Sequence, residues 1–102
     1  MMTLTDYAGN NIRLTDERLA HIKEHPEMTL HAEKISETII DPQIVVRSKS
    51  DEEARLYYRF YESLSIGNKY LCIVVKFKEA DAFVITAYFT DSLKKGDVVW
   101  KK

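Results

Sequence analysis

The sequence predicts an α+β fold in which two N-terminal helices pack on one face of a small, mainly antiparallel β-sheet of about four strands in meander order. Three observations carry this. Residues 70–91 read YLCIVVKFKEADAFVITAYFTD, two runs of β-branched and aromatic residues divided by the polar interval from Lys78 to Asp81, which is a hairpin signature. RLYYRFYE, Arg55 to Glu62, alternates in the same way and supplies a further strand. Helical periodicity with capping signals falls before Pro42. With 102 residues, 45% of them hydrophobic and 30% charged, residues 1–102 make one domain with one core.

Taken in order, Thr3–Tyr7 and Asn11–Leu14 flank Ala8-Gly9-Asn10 as two short extended pieces around a turn. Thr15 caps a first helix, with Asp16 and Glu17 in the first turn where the dipole favours negative charge, and Pro26 ends it near His25. Thr29 caps a second helix running to Ile40, with Leu30, Ile35, Thr38 and Ile39 as its buried stripe. Asp41-Pro42 stops it. Gln43 to Arg47 is a strand, Ser48 to Glu53 an exposed loop, and Gly67-Asn68 turns the chain into the central hairpin. Asp91 to Asp97 is a basic, polar loop, and Val98 to Trp100 adds a short terminal strand.

Strand parity then divides the sheet. Leu71, Ile73, Val75 and Phe77, with Phe83, Ile85, Ala87 and Phe89, form an apolar face joined by Leu56, Tyr58 and Phe60. The opposite parity gathers Arg55, Tyr57, Arg59, Tyr61, Lys76, Lys78, Thr86, Tyr88 and Thr90, a set of cations, phenols and hydroxyls without a carboxylate. Aromatic rings interleaved with Arg and Lys suit a groove that stacks bases and holds phosphates. The plainer reading is an ordinary exposed sheet surface, where Tyr and Thr are common. Residues 1–54 carry 6 basic and 11 acidic side chains (−5) and residues 55–102 carry 9 and 5 (+4), an asymmetry that would favour an anionic partner on the sheet side but that many solvated surfaces share, so strand parity is what favours the former.

Cys72, the single cysteine, reads as a packing residue in mid-strand. His21 and His25 have a spacing open to two metal ligands, but no third ligand follows at a suitable distance, so neither metal nor cofactor is expected. His25, beside Pro26 at a helix end, is placed to lean over a sheet edge, and an imidazole transfers protons near neutrality. No apolar run is long enough for a bilayer and no secretory leader is evident, so a cytoplasmic protein without membrane partners is expected.

The order of HIKEHPE (His21 to Glu27), ETIIDP (Glu37 to Pro42), RLYYR (Arg55 to Arg59), KYLCIVVK (Lys69 to Lys76) and FVITAYFTD (Phe83 to Asp91) resembles the phage-associated branch of the barnase, EndoU, colicin and RelE-like nucleases, from about Leu14 to Trp100. The resemblance implies helices on one face of a small antiparallel sheet and a metal-independent ribonuclease site on or beside the other. It further implies catalytic roles for His25, Arg59, Lys76, Thr86 and Tyr88. Arg55, Tyr57, Tyr61, Lys78 and Thr90 are then expected to bind substrate. The chemistry expected is attack of the RNA 2′-hydroxyl on its own phosphate, in a protein associated with phages, mobile elements or toxin systems and met by a cognate inhibitor or antitoxin. Two other readings stay open: a non-catalytic RNA- or protein-binding module, and a homodimer closed through Tyr57, Tyr61 and Tyr88.

Overall fold

The computed structural model describes every residue from Met1 to Lys102. Its centre is one seven-stranded mixed sheet, in the order β1-β2-β6-β5-β4-β3-β7. The strands are β1 (Met2–Thr5), β2 (Asn11–Leu14), β3 (Ile44–Ser48), β4 (Ala54–Leu64), β5 (Gly67–Lys78), β6 (Asp81–Thr90) and β7 (Gly96–Lys101). Three short helices, α1 (Asp16–Lys23), α2 (Pro26–Thr29) and α3 (Glu33–Ile40), lie between β2 and β3. This corrects the expectation of two helices on a four-stranded meander. The N-terminal hairpin and the terminal strand both join the sheet: β2 runs parallel to β6, and β7 pairs with β3.

Local chemistry explains the helical corrections. Thr15 caps α1 as expected, its hydroxyl accepting from the Arg18 amide. Pro26 does not simply end that helix; it opens α2 at a position where its missing N–H is not needed. Thr29 closes α2 instead of capping the next helix, its hydroxyl donating to the Lys23 carbonyl at 2.9 Å. The long second helix therefore shortens to α3, where Ile35, Thr38 and Ile39 are buried while Leu30 stays exposed.

The helices cover one sheet face. Ile22, Met28, Ile35 and Ile39 pack there with Ile12, Tyr57, Leu71, Ile73 and Val75. Each such side chain withdrawn from water contributes roughly 1.5–3 kcal/mol, so this layer is the principal source of stability. A bulge between Val74 and Val75 leaves Ile85 without a pairing partner and flips the parity of β6. Ala82, Val84, Ala87 and Phe89 consequently share the helical face, and Phe83 and Ile85 leave it.

The other face is not bare. Leu56, Tyr58, Cys72 and Val46 form a second buried cluster there, with Val74, Tyr70 and Tyr88 against it. From β6 the chain must pass β5, β4 and β3 to begin β7, so residues 91–95 cross this face. The Lys94 amide donates to the Tyr58 hydroxyl at 3.0 Å, tying the crossover down. Burial pushes up the pKa of Tyr57, Tyr58, Tyr88 and Tyr61, the last to about 12. Raised above the unfolded value of about 10, these phenols stabilise the fold below about pH 10, and that contribution is lost as pH climbs toward their folded values. The thermal midpoint is accordingly expected to fall steadily from about pH 10 to pH 12, and calorimetry across that range measures it. An unchanged midpoint would contradict the burial of these rings.

Candidate functional site

The register β4–β5–β6 splits the residues expected to act together. Tyr57 lies opposite Ile73 and Arg59 opposite Leu71, so Arg55, Tyr57, Arg59 and Tyr61 sit on the helical face. Lys76, Thr86 and Tyr88 sit on the other, with Thr86 across from Val74 and Tyr88 across from Cys72. The expectation that Leu56, Tyr58 and Phe60 join the helical core is reversed. Both parities of β4 end up largely covered, so relative hydrophobicity was a poor guide to direction.

On the helical face, polar groups from the helices and the first turn take up the heads of the β4 side chains. The Tyr57 hydroxyl donates to Asp6 at 2.6 Å and is fully buried. Arg59 donates to the Asp41 carboxylate at 2.9 Å and to the Asp41 carbonyl at 2.7 Å, closing the C-terminus of α3. Lys102 and Arg59 together hold the Asp41 carboxyl below the usual range. Tyr61 donates to Glu37 at 2.9 Å. Arg55 differs: its guanidinium lies 4.4 Å above the Phe77 ring and it has no ion-pair partner.

On the helix-free face, a cavity of about 260 Å³ is floored by Leu56, Val74 and Ile85. Lys76 and Lys94 reach it from β5 and the crossover, and Ser48, Ser50 and Asp51 from β3 and the β3–β4 loop. Lys76 donates to Asp51 at 2.7 Å and pairs with Glu53 at 3.4 Å. The Asp51 bond raises the Lys76 pKa and lowers that of Asp51, so both are charged at neutral pH. A lysine ammonium has three N–H donors, which leaves one for an incoming anion. The Ser48 and Ser50 hydroxyls are 3.0 Å apart and can each donate or accept. Lys94 extends to 5.8 Å from the Tyr88 ring. The Tyr88 hydroxyl is buried beside the Cys72 thiol, and no oxygen or nitrogen meets it.

His25 is the N-cap of α2 and exposed, in the helical layer across the sheet from Lys76, Thr86 and Tyr88. Its ring makes no hydrogen bond; Thr29 bonds its carbonyl instead. Lys78 is exposed at the β5–β6 turn, and the Thr90 hydroxyl bonds the Ser92 carbonyl where the crossover begins. Tyr57 and Tyr61 stand on one face and Tyr88 on the other, so the three do not form a single patch. Sequence reasoning missed Lys94, Ser48, Ser50 and Asp51, which lay in stretches read as loops. The available signal was the chain path: once β7 pairs beyond β3, the basic loop before it has to cross the sheet. No set of three or more His, Cys, Asp or Glu side chains is arranged to hold a metal ion, and no helix is long and apolar enough to cross a membrane.

A family model described as phage-Barnase-EndoU-ColicinE5/D-RelE like nuclease2 matches residues 2–101. No curated protein and no solved structure matches the chain.

Proposed function

The chain belongs to the phage-Barnase-EndoU-ColicinE5/D-RelE like nuclease2 family over residues 2–101, and from that premise we propose that it is an endoribonuclease whose site is the Lys76–Lys94 cavity on the helix-free face. The observation that carries this reading is the meeting in one cavity, over an apolar floor, of two lysines from different elements and an ionised carboxylate, Asp51, that Lys76 bonds. Lys76 and Lys94 hold the phosphate and offset the charge that grows on it. Ser48 and Ser50 supply hydrogen bonds to its oxygens, and the Tyr88 ring lies beside Lys94.

The reaction needs little more from the protein, because RNA carries its own nucleophile. Asp51 takes the proton of the 2′-hydroxyl. The 2′-oxygen bonds to phosphorus, the bond to the 5′-oxygen breaks, and Lys94 gives that departing oxygen a proton. The tyrosines are unsuited to act as bases, since burial keeps them protonated, and His25 lies in the other layer. The products are a 2′,3′-cyclic phosphate and a free 5′-hydroxyl.

Incubation with single-stranded RNA in the presence of a chelator is expected to give cyclic-phosphate ends, read by mass spectrometry, and fully 2′-O-methylated RNA is expected to stay intact. Cleavage of the methylated strand would exclude attack by the 2′-hydroxyl. A second reading is favoured by one fact: Asp51 and Glu53 already neutralise Lys76. A non-catalytic RNA-binding module would show salt-dependent binding and no cut products.

A further inference from the structure

On the opposite side of the β3–β4 loop from the proposed site, Arg47 and Arg55 stand directly across from each other on neighbouring strands. They line a cavity of about 650 Å³ with Lys49 and Phe77, and no helical residue takes part in it. Like charges placed directly opposite destabilise a sheet unless something compensates them. The ion pairs of the chain all lie elsewhere, and neither guanidinium donates a hydrogen bond to any protein group. Three carboxylates share the cavity: Glu53 is turned to Lys76 at 3.4 Å, Asp97 stands across from Arg47 in the β3–β7 register, and neither Asp97 nor Glu52 closes an ion pair with either arginine. The Arg55 guanidinium carbon lies 4.4 Å from the centre of the Phe77 ring, and its N–H groups meet no protein acceptor.

We infer that the Arg47–Arg55 pair, with Lys49 at its rim, is a second phosphate-binding site that grips a phosphodiester of the polynucleotide strand flanking the cleaved bond. The choice of a strand as ligand rests on the nuclease reading above. A guanidinium fork carries two N–H groups side by side, which is the geometry that engages two oxygens of one phosphate, and two such side chains line this cavity. Ser48 lines both cavities, which open on opposite faces of the sheet at the β3–β4 loop, so a strand reaches the second from the first by passing around that loop. Compensation by a bound phosphate also accounts for a facing arginine pair that the fold itself does not need.

The test is equilibrium binding of a single-stranded DNA dodecamer by fluorescence anisotropy over a range of salt. DNA lacks the 2′-hydroxyl, so the result does not depend on cleavage. The Arg47→Ala/Arg55→Ala pair is expected to bind at least about tenfold more weakly at low salt, and the slope of log affinity against log salt is expected to fall by about 0.7, the share of one phosphate. Arg55→Lys, which keeps the charge and loses the fork, is expected to keep the slope and weaken binding. Should the double variant fail to fold, Arg47→Gln at an exposed position is expected to weaken binding at low salt and lower the slope by at most about 0.7. An unchanged affinity and slope in the double variant, or in Arg47→Gln where the double variant does not fold, overturns the inference. Inorganic phosphate occupying the arginines as tightly as the dodecamer would overturn the strand as ligand and leave a free-phosphate site. A protein that cuts no RNA but shows arginine-dependent binding would sink the nuclease reading and leave this one standing.

Discussion

Asp6→Ala is expected to lower stability by about 3 kcal/mol, the largest effect of any polar substitution in the chain. Asp6 is one of the few buried polar residues, and four donors aim at its carboxyl group. The amides of Ala8 and Asn10 reach one oxygen at 2.9 and 2.8 Å, and the Asn10 side chain and the Tyr57 hydroxyl reach the other at 3.0 and 2.6 Å. It thus shapes the β1–β2 turn and ties that turn to the middle of β4. The same turn meets α3 through the Tyr7 amide and the Ile39 carbonyl, and it meets β7 through the Tyr7 and Trp100 rings, 4.6 Å apart. Removing the carboxyl strands a fully buried phenol without an acceptor and frees the turn, and a buried orphaned group is costly. In a domain of this length the expected fall in midpoint is about 12–24 °C, measured by calorimetry. Tyr57→Phe, which removes donor and leaves the other three bonds, is expected to lose less. Equal stability of Asp6→Ala and the unaltered chain would show that the link between turn and sheet does no structural work.

The second large effect concerns cleavage. Lys76→Ala and Lys94→Ala are each expected to slow RNA cleavage by about 10²–10³-fold, the usual consequence of removing one group that meets the charge developing in a transition state. Neither change empties the core: Asp51 and Glu53, left without Lys76, remain open to water, and Lys94 holds Tyr58 through its backbone amide, which alanine retains. Circular dichroism is expected to be unchanged while kcat falls. Because both lysines act on one phosphate, the double variant is expected to lose less than the product of the single effects. Cleavage within about threefold of the unaltered protein in the double variant would remove the cavity from consideration. His25→Ala is the useful contrast, since an equal loss there would return proton transfer to the helical layer.

Much of the local structure was legible in the sequence because it depends on neighbours along the chain. Thr15 capping α1, the Ala8-Gly9-Asn10 turn with Gly9 at φ 86°, and the β5–β6 hairpin follow from capping chemistry, backbone freedom and β-propensity. The site was legible in part. Lys76, Thr86 and Tyr88 do share a face, but only because the bulge at Val74–Val75 sets Thr86 opposite Val74; unbroken alternation from the Lys78–Asp81 turn would have put Thr86 and Tyr88 on the helical face. Arg55, Tyr57, Arg59 and Tyr61 do not join them. Tyr58 and Phe60 are no less apolar than Tyr57 and Tyr61, so the parity of β4 could be fixed only by what each face meets.

What the sequence by itself determined, then, is where most of the strand segments and the first helix lie, the hydrophobic mass of the central hairpin and a surplus of cations in the second half. The tertiary structure alone decided which cations are free. Arg59 is drawn to Asp41 and Tyr57 to Asp6, partners 18 and 51 positions away, while Arg47 and Arg55 face each other and form no ion pair with the carboxylates around them. The physical reason is that a charge or hydroxyl responds to groups within a few ångströms in space, and strand pairing, a bulge at Val74–Val75 and a crossover over the sheet set those distances.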